Sequence, residues 1–169
     1  MHNRKFYTCC FAGHRPNKLP WGYNEKGISF FLFKSRLRKT IKESIKNGYN
    51  YFISGMALGS DMLCAEMVLS LKKKHPNIML ECAIPCINQT EKWLKDSIDR
   101  YNYILSKADK VTYVSNKPYF NGCMQKLNEY MIENSSLLIA VYNGSSGGTK
   151  QTINYARKHK IHIKIINVL

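Results

Sequence analysis

Two segments carry the residue types that most readily hold a phosphate. Residues 54–61 read Ser-Gly-Met-Ala-Leu-Gly-Ser-Asp, residues 143–149 read Asn-Gly-Ser-Ser-Gly-Gly-Thr, and each follows a short apolar run. Glycine lets such a segment turn sharply and approach a ligand closely. The helix predicted after each segment begins with unpaired backbone N–H groups, which favour an anion together with the helix dipole. Tight connections that bind nothing are the alternative.

A third segment, from Gly13 to Tyr23, combines charged and aromatic side chains after the first apolar run. Arg15 offers a planar fork of N–H donors to a phosphate or carboxylate, and Trp21 or Tyr23 could stack on a base. His14 could carry a proton, although a single histidine more often only makes a hydrogen bond. The segment therefore predicts ligand contacts beyond those of a simple connection.

Two carboxylates and a second tryptophan complete the set. Asp61 and Glu66 could act as catalytic carboxylates, but either Ser60 or Asp61 could cap the helix that follows, and Glu66 could form an internal ion pair. Trp93 is either a packing residue or a stacking platform for a base. The residues predicted to bind a ligand are Gly13, His14, Arg15, Trp21, Ser54, Gly55, Gly59, Asp61, Glu66, Trp93, Gly144, Gly147, Gly148 and Thr149.

The hydrophobic pattern that must position these residues alternates between strands and helices. Strands are predicted at 5–11, 51–53, 78–85, 110–114, 136–142 and 161–168, and helices at 29–47, 61–74, 88–107, 123–134 and 149–159. The strand at 136–142 is expected to be the most central one. This order predicts an α/β fold, a mostly parallel, doubly wound sheet of about six strands, in one domain over residues 1–169. In such a sheet the three segments meet at the carboxyl edge, where ligands bind.

The charge of the chain is strongly positive, with 26 Lys and Arg against 11 Asp and Glu and a net charge of +15. An anionic ligand or a nucleic acid is therefore electrostatically favoured. The basic clusters at 34–39, 72–74 and 157–160 lie near predicted helix ends, where a solvated face explains them equally well. Nucleic-acid binding stays open as an alternative.

The six cysteines lie mostly within apolar patterns and behave as small hydrophobic residues. Cys82 and Cys86 have no matching second pair, so no metal site is expected. No apolar run approaches the ~20 residues that span a bilayer, and the N-terminus lacks the core of a signal peptide. We expect a cytoplasmic protein without membrane contact.

Several common nucleotide-binding and hydrolytic motifs are absent from the sequence. Neither glycine segment reads Gly-x-x-x-x-Gly-Lys-Ser/Thr, which excludes a P-loop NTPase. Neither reads Gly-x-Gly-x-x-Gly with an acidic residue about twenty positions later, which argues against a dinucleotide-dependent dehydrogenase. A Gly-x-Ser-x-Gly nucleophile elbow is also missing.

With these segments assembled, the chain resembles the SLOG superfamily, named for the DprA/Smf and LOG proteins, and within it the YpsA-like group. The resemblance rests on residues 8–16, 53–61, 65–66, 85–93 and 143–149. It implies a Rossmann-like sheet with helices on both faces that binds nucleotides or nucleotide-derived ligands near the glycine segments. It also implies a bacterial or phage protein, and a homodimer or higher homo-oligomer is a further expectation.

The relatives suggest different activities. LOG-type relatives release a base from a nucleoside monophosphate and carry a Glu shortly after the final glycine motif. Here Thr149 is followed by Lys150-Gln151-Thr152-Ile153 and by no carboxylate, which argues against hydrolysis. DprA-type relatives bind single-stranded DNA, and other SLOG domains sense nucleotide signals, such as cyclic nucleotides or ADP-ribose, in antiviral systems.

Our leading hypothesis is a protein that binds a nucleotide-derived small ligand as a sensor, regulator or sequestering protein, rather than an enzyme. One alternative is a nucleoside-monophosphate phosphoribohydrolase-like N-glycosidase that uses Glu66 or Asp61. A second alternative is a module that binds single-stranded nucleic acid.

Overall fold

The computed structural model describes residues 4–168, and within them a six-stranded sheet forms the centre of the fold. Every strand pair of this sheet is parallel. The strands are β1 (Thr8–Gly13), β2 (Tyr51–Ser54), β3 (Met79–Ile84), β4 (Lys110–Tyr113), β5 (Leu137–Tyr142) and β6 (His162–Asn167), in the order β4-β3-β2-β1-β5-β6. The predicted parallel α/β sheet is therefore confirmed.

Five α-helices connect the strands and cover both faces of the sheet in the described part of the chain: α1 (Ile28–Lys46), α2 (Ser60–Lys72), α3 (Lys95–Lys107), α4 (Cys123–Glu133) and α5 (Gly148–Lys158). The first three pack on the face that carries Phe11 and Phe52. The last two pack on the face that carries Ile53 and Ala140. None of these helices is both long and apolar enough to cross a lipid bilayer.

The strand order changes direction between β1 and β5. From β1 the chain adds β2, β3 and β4 on one side, and it then returns to add β5 and β6 on the other side of β1. The crossovers after β1 and after β5 therefore leave the sheet in opposite directions. This reversal opens a crevice at the carboxyl ends of the two strands.

Three local predictions are wrong. Residues Arg4–Tyr7 form a 3-10 turn rather than the start of β1, because Thr8 Oγ1 donates back to the Arg4 carbonyl at 2.9 Å. Residues 88–94 are turns, and α3 begins at Lys95. β5 is not the most central strand, since β1 and β2 occupy the middle of the sheet.

The predicted cap of α2 also differs. The helix begins after Gly59, and no side chain caps it. Ser60 instead donates its hydroxyl to the His14 carbonyl at 2.9 Å, and its backbone N–H points to the same oxygen at 3.2 Å. The start of α2 is thus used to hold the segment that follows β1.

Candidate functional site

A cavity of about 360 Å³ lies at the carboxyl edge of the sheet, beside the ends of β1 and β5. The segment after β1, the start of α2, α4 and the first turns of α5 each contribute to its wall. The lining residues are Phe11, Ala12, Gly13, His14, Arg15, Asn17, Lys18, Ala57, Asp61, Met124, Asn128, Gly148, Thr149 and Thr152. The crevice where the strand order reverses is the general ligand position of open α/β sheets.

The buried side chain of His14 joins two walls of the cavity. Its Nε2 accepts the backbone N–H of Asn143 at 3.2 Å, and its Nδ1 lies 3.4 Å from Thr149 Oγ1. Burial lowers the pKa of His14, and the charge of Lys18 acts in the same direction. A neutral ring that accepts at Nε2 carries its proton on Nδ1, so Thr149 Oγ1 is the acceptor and keeps its own proton to donate.

The first turn of α5 presents backbone N–H groups beside Thr149. Gly147 adopts φ +133°, a conformation that favours glycine, and Gly147 O accepts the N–H of Gln151 at 3.1 Å. The N–H groups of the residues between them have no acceptor within the helix. Lys18 Nζ donates to the Ser146 carbonyl at 2.7 Å, which brings a cation to the same helix end. This arrangement is suited to an anion.

Asp61 is the carboxylate among the described residues that line the cavity, and only 7% of its surface is exposed. Its Oδ2 accepts a single long hydrogen bond, 3.3 Å from the Ala57 N–H. Burial raises the pKa of Asp61 to about 6, although the nearby charge of Arg15 and the Ala57 hydrogen bond act against this shift. A buried carboxyl in a cleft with a raised pKa is typical of a functional site.

The glycines of the 54–61 segment serve packing rather than the cavity wall. A Cβ on Gly59 would lie 2.8 Å from the His14 carbonyl oxygen, and one on Gly55 would lie 2.9 Å from Leu127 Cδ2. Ser54 Oγ accepts the Met56 N–H at 3.2 Å and donates to the Asp61 carbonyl at 2.8 Å. The polar groups of this turn are therefore partly satisfied within it.

Gly13 fits between the two halves of the site for a similar reason. A Cβ at this position would lie 2.4 Å from Ser60 Cβ and 2.9 Å from Val141 Cβ. Gly13 therefore lets β1 approach the start of α2 closely, and at the same time it lines the cavity. Gly144, also predicted as a ligand contact, is exposed on the loop after β5 at φ +88°.

Trp21 and Glu66 are among the predicted site residues that lie away from this cavity. Trp21 is 7% exposed, and its ring stacks on Phe33 at a centroid distance of 4.7 Å. Glu66 accepts two hydrogen bonds from Arg100, at 2.6 and 2.7 Å, on the outer side of α2. Trp21 therefore packs in the core and was wrongly predicted to stack on a base, whereas Glu66 forms the ion pair that the sequence allowed as its alternative.

Sequence reasoning missed several residues of the cavity wall. Lys18 belongs to the 13–23 segment, and its positive charge so close to Arg15 in the sequence could have indicated a second contact to an anion. Asn128 and Met124 come from α4, whose pattern predicted only a packed helix. Their contribution depends on how α4 crosses the sheet, which a linear motif does not reveal.

Comparisons with solved structures agree with this architecture. The chain is similar to DNA processing protein A from Streptococcus pneumoniae, with a TM-score of 0.66 and 14% identity over 96% of this chain and 50% of that one. For DNA processing protein A from Helicobacter pylori the TM-score is 0.61, with 16% identity over 94% of this chain and 64% of that one. This chain spans less than two thirds of either protein, and the likeness shows a shared fold.

Sequence comparisons are more specific. The SPbeta prophage-derived protein YoqJ of Bacillus subtilis is 37% identical over 145 residues, covering 79% of this chain and 85% of YoqJ. A UPF0398 protein of Halalkalibacterium halodurans is 30% identical over 140 residues, covering 82% of this chain and 73% of its own. The family model YpsA, described as the YspA SLOG family, matches residues 9–169. The chain with this fold and this edge cavity therefore belongs to the YpsA-like family of the SLOG superfamily.

Proposed function

We propose that this protein binds the phosphate and ribose of a nucleotide-derived ligand in the cavity and acts as a sensor, regulator or sequestering protein. One observation carries the proposal. The first turn of α5, two cationic side chains and a buried carboxyl converge on a single cavity at the point where the strand order reverses. Membership of the SLOG superfamily is consistent with it.

Each group has a distinct role in this proposal. The backbone N–H groups at Gly148 and Thr149 and the Thr149 hydroxyl donate to phosphate oxygens. Arg15 and Lys18 neutralise the charge of the ligand. Asp61 accepts hydrogen bonds from ribose hydroxyls. These hydroxyls supply the donors that the buried carboxylate lacks, since within the protein it accepts a single hydrogen bond of 3.3 Å.

The test has two stages. Native mass spectrometry of protein purified from cells, followed by denaturation, identifies any small molecule that the protein retains. Calorimetric titration with mono-, di- and cyclic nucleotides and ADP-ribose then gives affinities, with unphosphorylated adenosine as the control. Binding of a phosphorylated compound but not of adenosine is the expected result. No binding by any phosphorylated compound, together with empty purified protein, would refute the proposal.

Hydrolysis of an N-glycosidic bond is a variant of the same binding proposal. Of the two carboxylates considered from the sequence, Asp61 lines the cavity, whereas Glu66 is engaged by Arg100. The activity would therefore depend on Asp61, and the same samples should release free base in the wild type but not in Asp61→Asn. Intact nucleotide after prolonged incubation of the wild type excludes this variant.

Single-stranded DNA is a second candidate ligand, on a different surface. Exposed Arg38, Lys39, Lys42 and Lys46 of α1 lie with His75 around an open groove of about 750 Å³. The Helicobacter pylori DNA processing protein A binds single-stranded DNA, and a net charge of +15 favours such a partner. Filter binding at several salt concentrations tests it, since undetectable or salt-independent binding contradicts a phosphate-backbone contact.

A further inference from the structure

A second cleft adjoins the cavity on the side of β3. It has a volume of about 640 Å³, and Arg15 and Met124 line both spaces. Its other walls are residues 85–93, after β3, and Tyr119, after β4. The cavity and the cleft are therefore adjacent, and Arg15 and Met124 contact both.

The two spaces differ in chemistry. The cavity holds the first turn of α5 with Lys18, whereas the cleft presents the aromatic rings of Trp93 and Tyr119. Trp93 is half-buried, and Tyr101 braces it edge-on at a centroid distance of 5.5 Å. Tyr119 is 66% exposed. Aromatic walls of this kind stack on nucleic-acid bases, whose flat faces pair well with indole and phenol rings.

The loops that carry these rings are joined to each other. Asn88 Oδ1 accepts the Tyr119 backbone N–H at 2.7 Å, and the Ile87 N–H donates to the Lys117 carbonyl at 3.1 Å. The two segments thus form one wall, so that Tyr119 is held near the 85–93 segment through its backbone while its ring stays free to contact a ligand. This lowers the entropy cost of ordering the wall on binding.

Gln89 brings a side-chain amide to the same cleft, and this amide can form hydrogen bonds with a base. Its Nε2 donates to the Gly55 carbonyl at 3.0 Å, and its Oε1 accepts the Tyr101 hydroxyl at 3.1 Å. The amide orientation is fixed because the Gly55 carbonyl can only accept. One N–H and one lone pair of the amide remain, which is the donor and acceptor pair that glutamine offers to adenine.

We propose that the ligand is an adenine nucleotide whose phosphate occupies the cavity and whose base lies in the cleft. The base stacks against Trp93 and Tyr119 and forms hydrogen bonds with Gln89. This inference rests on the proposed function, since it requires a phosphate in the cavity, and it adds the identity of the base and its position. The ligand class becomes a nucleotide with its base attached, rather than a sugar phosphate.

Calorimetric titration of the full chain with adenosine 5′-monophosphate, cytidine 5′-monophosphate and ribose 5-phosphate tests the inference. Adenosine monophosphate should bind most tightly. Trp93→Ala and Tyr119→Ala should each weaken its binding by roughly tenfold or more, as expected for loss of base stacking, and leave ribose 5-phosphate unchanged. Tyr103→Ala, an equally exposed tyrosine on α3, is the matched control and should change nothing.

The outcomes separate the two proposals. If ribose 5-phosphate and adenosine monophosphate bind equally and the two aromatic variants bind like the wild type, the base cleft is refuted and phosphate binding in the cavity stands. Tighter binding of cytidine monophosphate refutes adenine recognition. If none of the three compounds binds, both proposals fail. Should Trp93→Ala not fold, Tyr119→Ala alone decides, because its exposed ring carries no core packing.

Discussion

Among residues 4–168, two carboxyl side chains are buried, those of Asp61 and Glu81, and their surroundings are opposite. Glu81 lies in the amino half of β3, fully buried, and accepts hydroxyl hydrogen bonds of 2.6 Å from Tyr51, Thr112 and Tyr130. Asp61 lies at the carboxyl edge and accepts one N–H at 3.3 Å. The fold therefore supplies hydrogen-bond donors to both carboxylate oxygens of Glu81, whereas Asp61 receives one long hydrogen bond.

Their titration follows from these surroundings. Burial by itself raises the pKa of Glu81, but hydrogen bonds from Thr112, Tyr130 and Tyr51 outweigh it and hold the pKa below its ordinary value. For Asp61 burial dominates, and the pKa is raised to about 6. A buried charge with complete hydrogen bonding is a structural device, whereas a buried carboxyl with incomplete bonding in a cavity is poised for a ligand.

The largest effect is expected from Glu81→Ala. This change leaves the buried hydroxyl of Tyr51 and the half-buried hydroxyls of Thr112 and Tyr130 without their acceptor, and it removes the partner of Lys110, 3.6 Å away. We expect the free energy of unfolding to fall by about 3 kcal/mol or more. Urea denaturation measures it, and Glu43→Ala, the same truncation at an exposed position of α1, is the matched control. A loss below about 1 kcal/mol would show that the Glu81 cluster is not a structural device.

The second prediction concerns pH. The folded-state pKa of Asp61 lies above its ordinary value of 3.8, so the folded protein favours the protonated carboxyl. The contribution of Asp61 to the free energy of unfolding is therefore complete below pH about 4 and is lost as the pH rises towards about 6. The total loss is about 3 kcal/mol, and it persists at higher pH.

Urea denaturation from pH 4.5 to 8 should show this decline in the wild type and not in Asp61→Asn. The contribution of Glu81 has the opposite sign, because its lowered pKa makes its stabilisation disappear only as the solution becomes more acidic. Identical pH profiles for the wild type and Asp61→Asn would contradict the raised pKa of Asp61 in the folded protein.

The smallest of these effects is expected from Tyr130→Phe. The change removes one hydroxyl donor to Glu81 Oε1, while Thr112 still donates to the same oxygen. Stability should fall by about 1.5–3 kcal/mol, the usual range for a hydrogen bond to a charged group, and by less than in Glu81→Ala. Thermal unfolding of the two variants side by side gives the ranking. Tyr130→Phe as damaging as Glu81→Ala would contradict a shared network, because the loss of one hydroxyl donor would then cost as much as the loss of the carboxylate.

The contrast between these regions also explains which features sequence analysis could predict. The alternation of strand-length and helix-length patterns predicted the parallel sheet, and this is confirmed, because strands buried on both faces leave continuous apolar runs between the helical segments. Asp61 was named from its motif. Glu81 was not singled out from the sequence, because its three hydroxyl partners come from β2, β4 and α4, far apart along the chain.

Local details failed where long-range contacts decide them. Ser60 was predicted as a helix cap from its type, but its hydroxyl is held by the His14 carbonyl, 46 positions earlier in the chain. Trp21 and Trp93 looked alike as stacking residues. The structure packs Trp21 against Phe33 and sets Trp93 beside a cleft, a distinction that depends on tertiary packing and not on spacing.

The central claim is that the first turn of α5 holds a phosphate, and Gly148→Ala tests it most directly. A Cβ at Gly148 would meet no atom within 4 Å in the protein, and the backbone there does not need glycine. We expect unchanged or slightly increased stability. Calorimetric titration with ribose 5-phosphate or adenosine monophosphate should nevertheless show at least tenfold weaker binding, because the added methyl occupies the approach to the N–H groups. Wild-type affinity for both compounds in Gly148→Ala would contradict the claim.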